Sequence, residues 1–296
     1  MKRRAVAVAL LVGVGLLGAC GGGDTGSRSA TSSTVAAGSS VRPVADAPGP
    51  PADCPSGPPQ RLVPEVLRRM DHDPEAFTQG LLVHDGILWE STGRVGTSSV
   101  RATDPATGTV LRQAASPGGV FAEGLAVRRD GSLVQLTWKD GTALVWDPAT
   151  MQPTGSFRYD GEGWGLTAVD DGTLLMSDGS DRITERDPSD FSAQQAWTVR
   201  REDGPADELN ELEWDGSHLW ANRWRTDEIV RIDRRCRRVD AVVDAAALVQ
   251  EATGEATAEG RPVDVLNGIA AVPGTDRFLV TGKLWPTTFE VRFVPA

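Results

Sequence analysis

Apolar and polar positions along the chain alternate in short segments and not with the period of a helix. From Arg61 to the C-terminus, runs of four to eight residues rich in Val, Ile, Leu, Thr and Trp are separated by Asp-Gly, Asp-Pro and Thr-Gly pairs. Such runs are typical of β-strands, and such pairs are typical of the turns between them. No convincing amphipathic helix occurs before Ala241. The pattern predicts an all-β fold.

The strands group into a unit that recurs five times. Each copy has a strand, a DG-type turn, a second strand, a small polar tip, a third strand and a DP-type turn before the fourth strand. The copies begin at Gly80, Gly124, Gly165, Asn210 and Asn267, so successive starts are 44, 41, 45 and 57 residues apart. Four strands in a unit of this length are typical of a propeller blade, and we predict a five-bladed β-propeller. A sandwich of short hairpins is the structural alternative.

The two ends of the repeat region complete each other. The fifth copy reaches the C-terminus at Ala296 after only three strands, whereas an unassigned strand over residues 62–70 precedes the first copy. We expect this strand to close the ring as the outer strand of the fifth blade. Residues 244–260 account for the longest gap and are predicted to form an inserted helix or loop.

Blade topology sorts the loops into two faces. In a four-stranded up-and-down blade, the loop before the inner strand and the tip between strands two and three lie on one face, here called the top face. The DG and DP turns lie on the bottom face. The loops before the inner strands read FTQGL, FAEGL, GEGWGL, LNELE and LNGIA, and the tips read STG, LTWK, SDGSD, NRW and TGKLW. Four tryptophans, a lysine, amides and carboxylates are therefore expected to meet at the top face.

The motifs FTQGL, FAEGL, LNELEW and TGKLWP, in this order and on one face, resemble those of the plant and bacterial glutaminyl-peptide cyclotransferases, the glutamine cyclotransferase family. The resemblance covers residues 61–296. It implies an acyltransferase with a five-bladed propeller fold. Its substrates would be peptides or proteins with an N-terminal glutamine, whose α-amine attacks the side-chain carboxamide to give pyroglutamate and ammonia. The resemblance implies no cofactor and no metal.

The resemblance also implies roles for particular residues. Glu123 of FAEGL matches the acid/base position of the family, and a carboxyl group carries protons in both directions when an apolar setting raises its pKa. Lys283 of TGKLWP is the second implied catalytic residue. With Gln79 and Asn210, it would bind and polarise the carboxamide oxygen or hold the substrate backbone. The implied substrate-binding residues are Phe77, Gln79, Phe121, Trp138, Trp164, Asn210, Trp224 and Asn267.

Three questions about this site stay open at the level of the sequence. Glu211 is either a second carboxylate in the site or the partner of Arg223 or Arg225. A metal-dependent, lactonase-like propeller would gather ligands such as Glu123 and Asn210, together with Asn267, around a cation. A non-catalytic propeller would keep the aromatic opening as a peptide-binding site.

The N-terminus predicts export. Lys2, Arg3 and Arg4 precede an apolar stretch over residues 5–17, which ends in Leu-Gly-Ala-Cys at Cys20. This order is typical of a signal peptide, here over residues 1–19. The final four residues resemble the bacterial lipobox, whose cysteine carries a lipid. We therefore expect a lipoprotein anchored to the outer face of the bacterial cell membrane.

The segment between the anchor and the propeller is poor in large apolar residues. Residues 20–60 consist mainly of Gly, Ser, Thr, Ala and Pro, which predicts a flexible linker before a propeller domain over residues 61–296. Cys54 and Cys236 remain after lipidation of Cys20. The predicted blade topology places these two cysteines on the bottom face of neighbouring blades. A disulfide between them is therefore feasible in an oxidising compartment, and two unpaired thiols are the alternative.

The charge balance limits the partners. The formal net charge is -11, and removing Lys2, Arg3 and Arg4 with the signal peptide makes it -14. An acidic surface argues against binding to nucleic acid or to anionic membrane surfaces. The lipid is therefore the one membrane contact that we expect, and we expect a monomer.

Overall fold

The short apolar runs form antiparallel strands, and these assemble into five four-stranded sheets. The structure, a computed structural model, describes residues 44–296. The predicted signal peptide and the predicted lipidation site at Cys20 lie outside the described residues. Within the described part, no helix is both long enough and apolar enough to cross a bilayer.

The elements follow one another in the order that the repeat predicts. The first strand is β1 (Gln60–Asp71). Blade 1 contains β2 (Thr78–His84), β3 (Ile87–Thr92), β4 (Ser99–Thr103) and β5 (Val110–Ala115). Blade 2 contains β6 (Ala122–Val127), β7 (Leu133–Thr137), β8 (Thr142–Asp147) and β9 (Gln152–Arg158). Blade 3 contains β10 (Leu166–Ala168), β11 (Leu174–Ser177), β12 (Arg182–Arg186) and β13 (Ala193–Thr198).

A small hairpin and a helix flank the fourth blade. The hairpin consists of β14 (Arg200–Arg201) and β15 (Gly204–Pro205). Blade 4 contains β16 (Leu209–Trp214), β17 (Leu219–Arg223), β18 (Glu228–Asp233) and β19 (Arg238–Asp244). The helix α1 (Ala246–Ala258) fills the longest gap of the repeat, as predicted, and blade 5 contains β20 (Leu266–Ala271), β21 (Arg277–Gly282) and β22 (Thr287–Pro295).

The five sheets form a closed ring around their inner strands. The strands β2, β6, β10, β16 and β20 contact one another in turn, and β20 contacts β2. The strand β1 pairs antiparallel with β22, from Leu62 opposite Pro295 to Asp71 opposite Thr287. The predicted closure of blade 5 by the N-terminal strand is confirmed. The sandwich alternative is wrong, because the sheets surround an axis and do not stack in two layers.

Glycine allows the inner strands to approach closely. A Cβ atom on Gly80 would lie 2.6 Å from the backbone nitrogen of Leu125, and one on Gly124 would lie 2.5 Å from that of Leu166. Both distances are shorter than any real Cβ contact. The recurrence of glycine at this repeat position thus has a physical reason, since each of these glycines accommodates the backbone of the next blade.

The segment before β1 is tied to the ring on its bottom face. The backbone N–H of Ala47 donates to the carbonyl oxygen of Ala196 at 2.8 Å. Cys54 and Cys236 form a disulfide with a Cα–Cα distance of 5.5 Å, which confirms that pairing. The predicted flexible linker therefore extends too far, because residues 44–59 lie against blades 3 and 4. Their composition offers little apolar surface, and backbone pairing and the disulfide hold them instead.

Candidate active site

Bulges in the inner strands set the positions of the candidate residues. The register between the first and second strands shifts at the top end of blades 1, 2, 4 and 5. A β-bulge bends the strand and redirects a side chain, and bulges are frequent next to active sites. The shifted segments contain Gln79, Glu123, Asn210 and Asn267. The same position of four repeats therefore supplies four of the predicted site residues.

One cavity of about 270 Å³ opens on the top face at these bulges. Nine of the ten predicted catalytic and substrate-binding residues line it, and Asn267 is the exception. The lining consists of Phe77, Gln79, Phe121, Glu123, Trp138, Trp164, Asn210, Trp224, Asp264 and Lys283.

Aromatic rings form two groups along the wall of the cavity. Phe77 meets Phe121 edge to face at a centroid distance of 6.1 Å, and Phe121 meets Trp138 at 5.8 Å. On the other side, Trp164 and Trp224 meet edge to face at 5.2 Å. Edge-to-face contacts of this kind stabilise each ring in one orientation. The wall is therefore apolar and shaped before any ligand arrives.

Glu123 is buried at the base of this wall, with 5% of its surface exposed. Gln79 Nε2 donates to Glu123 Oε1 at 3.2 Å, and Gln79 Oε1 accepts from Asn267 Nδ2 at 3.2 Å. Asn267 Nδ2 also donates to the carbonyl oxygen of Thr78 at 3.0 Å. Asn267, predicted to bind substrate, thus lies behind Gln79, where it fixes the orientation of the Gln79 amide.

The charges of the cavity are shifted by burial and by one another. Burial raises the pKa of Glu123 well above its usual value, an effect that Lys283 partly opposes and Glu162 reinforces. Burial lowers the pKa of Lys283, while Glu123 and Asp264 act in the opposite direction. The Lys283 Nζ atom lies 5.0 Å from the centroid of the Phe77 ring. A carboxyl group and an amine with opposite shifts therefore share one apolar cavity, an arrangement suited to proton transfer.

The TGKLW tip presents its lysine to the cavity and turns its indole away. Trp285 is fully buried, and its Nε1 donates to the carbonyl oxygen of Asp264 at 2.9 Å. The expectation of four tryptophans at the top face is wrong in this respect, because three line the cavity. The positive φ of 62° at Leu284 folds the chain back, and the indole covers Gly282, where a Cβ atom would lie 2.2 Å from the ring.

A buried histidine links the loop of Gln79 to the tip of Lys283. His72 Nδ1 lies 2.7 Å from the carbonyl oxygen of Trp285, and His72 Nε2 lies 3.0 Å from Glu90 Oε1. Thr78 Oγ1 also donates to Glu90 Oε1 at 2.7 Å. Burial alone would lower the pKa of His72, but Glu90 raises it overall. The pair thus supports the site from outside the cavity.

Glu211 has neither of its two predicted partners. Its Oε1 accepts from the backbone N–H of Leu81 at 3.1 Å, and its Oε2 accepts from that of Ile269 at 2.9 Å. Arg223 pairs instead with Glu228 at 2.7 Å. Glu211 is therefore neither a second carboxylate in the cavity nor the partner of Arg223 or Arg225, and both predictions are wrong. Its carboxyl group instead accepts hydrogen bonds from inner-strand N–H groups of blades 1 and 5. The pattern LNELE contains no sign of this long-range role.

Sequence reasoning missed two carboxylates at the opening of the cavity. Asp264 lines the cavity, and Glu162 accepts hydrogen bonds from two of its tryptophans. The repeat contains a signal for Glu162, since it lies at the place in GEGWGL that phenylalanine occupies in FTQGL and FAEGL. Asp264 stands three residues before Asn267, and Asp207 stands at the matching place before Asn210 in blade 4, so the repeat contains a signal for it as well.

Among residues 44–296, no three His, Cys, Asp or Glu side chains are grouped as they would be around a metal ion. A metal-dependent, lactonase-like site would use the amides of Asn210 and Asn267 as ligands beside Glu123. Asn210 lines the cavity, whereas the side-chain nitrogen of Asn267 donates to Gln79.

Comparison with known proteins gives concordant matches. The family model described as "Glutamine cyclotransferase" matches residues 39–293. The glutaminyl-peptide cyclotransferase of Arabidopsis thaliana is 35% identical over 234 residues, which cover 78% of this chain and 72% of that protein. The crystal structure of Myxococcus xanthus glutaminyl cyclase has a TM-score of 0.73 and 38% sequence identity, and the match covers 80% of this chain and 99% of that chain.

Proposed function

This chain belongs to the glutamine cyclotransferase family and is a glutaminyl-peptide cyclotransferase, and from this premise we propose how its top-face cavity carries out the reaction without a metal. One observation carries the proposal: a buried carboxyl group with a raised pKa shares a cavity with a buried lysine. The cavity of about 270 Å³ suits a single side chain and its amino terminus.

The reaction requires a proton to move between two nitrogens of one substrate. The α-amine nitrogen attacks the side-chain carboxamide carbon, a C–N bond forms, and a tetrahedral oxyanion results. The bond to the amide nitrogen then breaks, and ammonia leaves while the lactam remains. The substrate arrives largely as an α-ammonium ion, whose usual pKa is about 8. A group in the site must therefore take a proton from this nitrogen and give one to the departing nitrogen.

Glu123 is the group placed to do both. Ionised, it takes a proton from the α-ammonium and leaves a neutral nucleophile, and protonated, it delivers that proton to the leaving amide nitrogen. The ring nitrogen loses a second proton as the lactam forms, and the carboxylate accepts this proton and passes it to the released ammonia. Burial raises the pKa of Glu123 well above its usual value, which brings the neutral form closer in free energy to the ionised form. The Gln79 amide, oriented by Asn267, donates to one oxygen of Glu123. The other oxygen remains for the travelling proton.

Lys283 and Asn210 bind the rest of the reacting group. The Lys283 ammonium stabilises the oxyanion, since a positive charge in a buried site is more effective than in water. Asn210 Oδ1 is buried without a hydrogen-bond partner among the described residues. As an acceptor in the cavity lining, it is suited to the N–H groups of the substrate, which holds the α-amine toward the carboxamide.

The aromatic wall excludes water from the reacting carbon. Attack by water on the same carboxamide would give glutamate, a different product. A dry, preformed pocket that holds the amine near the carboxamide favours ring closure over hydrolysis.

The test is ammonia release from a Gln-initiated dipeptide, measured with and without a chelator for the wild type and for Glu123→Gln. We expect turnover that resists the chelator and that falls by at least about 10² in the variant, the usual range for loss of general acid–base catalysis. Loss of wild-type turnover in chelator would support the metal-dependent propeller instead. Peptide binding without turnover would support the non-catalytic binding propeller. Circular dichroism and the melting temperature check that the variant is folded.

We also propose that the protein is an exported lipoprotein, anchored through Cys20 to the outer face of the membrane. The sequence before Cys20 and the disulfide between Cys54 and Cys236 support this, since disulfides persist in oxidising compartments. Metabolic labelling with a fatty acid should mark the wild type and not Cys20→Ala, and the label on both or on neither would contradict the anchor.

A further inference from the structure

Glu162 occupies a repeat position that holds an aromatic residue in two other blades. In blade 1, the carbonyl oxygen of Phe77 accepts from Gly93 N, and in blade 2, that of Phe121 accepts from Trp138 N, both at 2.8 Å. Phe77 and Phe121 stand two residues before the site residue of their loop, and Glu162 stands two residues before Trp164. Blade 3 thus places a carboxylate where its neighbours place part of the aromatic wall.

This carboxylate joins two separate parts of the wall. Glu162 Oε2 accepts from Trp138 Nε1 at 2.7 Å and from Trp164 Nε1 at 3.0 Å. The other oxygen, Oε1, lies 3.3 Å from Lys139 Nζ, and that ammonium lies 3.9 Å from the centroid of the Trp138 ring. One side chain therefore holds the indoles of blades 2 and 3 at a common point on the rim.

We propose that Glu162 is a positioning residue that fixes Trp138 and Trp164 as the facing sides of the glutamine pocket. The proposal rests on the proposed function, because it assigns these indoles to substrate binding. An indole N–H has no second donor or acceptor with which to choose another partner. Loss of Glu162 leaves Trp138 in contact with Phe121, and Trp164 in contact with Trp224, but removes the link that fixes the two indoles relative to each other. The pocket then loses the shape that orients the substrate.

The charge of Glu162 reaches Glu123 as well. Burial raises the pKa of Glu162, but hydrogen bonds from Trp164 and Trp138 and its pairing with Lys139 lower it overall, so the group stays ionised. That charge is one of the causes that raise the pKa of Glu123. Position and charge are therefore two separable contributions of one side chain.

Two substitutions separate these contributions. Glu162→Gln keeps a carbonyl oxygen for the indole N–H groups and removes the charge. We expect its KM to stay near the wild-type value, while the acidic limb of kcat/KM moves to lower pH by roughly half a unit. Glu162→Ala removes the acceptor too, and we expect KM to rise about tenfold or more because the pocket is no longer preformed.

Glu208 offers a matched control, since it stands two residues before Asn210 in blade 4 and contacts neither indole through its side chain within the described residues. Glu208→Ala should leave KM and the pH profile unchanged. An equal rise of KM in Glu208→Ala and Glu162→Ala would overturn the proposal, as would an unchanged KM in Glu162→Ala. If Glu162→Ala fails to fold, an unchanged acidic limb in Glu162→Gln overturns the electrostatic part.

A spectroscopic readout keeps this test independent of catalysis. The indole N–H signals of Trp138 and Trp164, assigned with Trp138→Phe and Trp164→Phe, report their hydrogen bonds in ¹⁵N-labelled protein. Both signals should move in Glu162→Ala and stay in place in Glu208→Ala. Signals that stay in place in both variants contradict the positioning role, even if the wild type proved to have no cyclase activity.

Discussion

Glu123, Lys283 and Gln79 carry side chains that usually face solvent, and here at most 5% of each residue is exposed. Burial in an apolar cavity disfavours the charged form of both ionisable groups, so the pKa of Glu123 rises and that of Lys283 falls. Each opposes the shift of the other, because opposite charges stabilise one another. The pKa values of the two groups therefore lie closer together than those of the same side chains on a surface.

Substitution of Lys283 tests its role at the oxyanion. Lys283→Met removes the charge and keeps much of the apolar stem, and we expect kcat to fall by about 10², as for loss of one oxyanion donor. Arg225→Met is the control, since that exposed cation lies 3.9 Å from the centroid of the Trp224 ring and outside the cavity lining. Steady-state kinetics on a Gln dipeptide should separate the two variants, and similar losses would mean that general charge at the opening matters and not Lys283.

At the scale of the elements, one repeat position supplies chemistry and the next supplies packing. In blades 1, 2, 3 and 5, a glycine follows the repeat position that holds Gln79, Glu123, Trp164 and Asn267. In blades 1 and 2, the bulge directs the side chain at this position into the cavity, and the missing Cβ of the glycine lets the neighbouring blade approach. Glu123 and Gln79 are thus held by strands of the ring, whereas Lys283 lies in the tip directly after β21.

The glycine of blade 2 gives a direct test of this packing. A Cβ atom at Gly124 would meet the backbone of Trp164 and Leu166, which has no freedom to move aside, so Gly124→Ala should lower the free energy of unfolding by about 1–3 kcal/mol. Gly155→Ala is the control, because Gly155 lies on the outer strand β9 with no atom within 4 Å of an added Cβ. For Gly155→Ala, urea unfolding should show no loss and a gain of about 0.5 kcal/mol in the free energy of unfolding. Equal effects would contradict the packing role.

These elements were largely predictable from the sequence, and the exceptions have physical reasons. The period of the repeat predicted the five blades. The loops before the inner strands and the tips contained nine of the residues that line the cavity. The inward turn of Trp285 depends on the positive φ of Leu284, which no local propensity favours. The place of Glu211 depends on backbone donors of two distant blades. Long-range partners of buried polar groups do not leave a pattern in the local sequence.

At the scale of the whole molecule, the ring is closed by strand pairing and by a disulfide. The strand β1 joins blade 5 through β22, and its first residues also pair in parallel with β19 of blade 4. The disulfide joins Cys54, just before β1, to the turn between β18 and β19. The pairing of β1 with β22 continues up to Asp71 and Thr287, close to the tip that contains Lys283. The disulfide lies at the opposite end of the ring, so its contribution to stability is separated from the chemistry of the cavity.

Removal of the disulfide tests this separation. The bond spans a sequence separation of 182 residues, and its loss should lower the free energy of unfolding by roughly 2–5 kcal/mol through the wider freedom of the unfolded chain. The double variant Cys54→Ser/Cys236→Ser should have the same free energy of unfolding as the reduced wild type. At temperatures where all are folded, kcat/KM should agree within about twofold, since distant sites act independently. A large loss of activity without unfolding would contradict the separation.

The proposed mechanism of cyclisation depends on Glu123. Its carboxyl group must stay protonated above the usual pKa of glutamate and must take up and release a proton during turnover. Infrared difference spectra of the wild type against Glu123→Gln, recorded across pH, isolate the carbonyl band of this one protonated side chain. We predict that the band persists well above the usual pKa of glutamate, about 4.3, and that it disappears over the same pH range in which kcat/KM rises. A Glu123 that is already ionised at mildly acidic pH, or a band whose titration is unrelated to the rate, would contradict the mechanism.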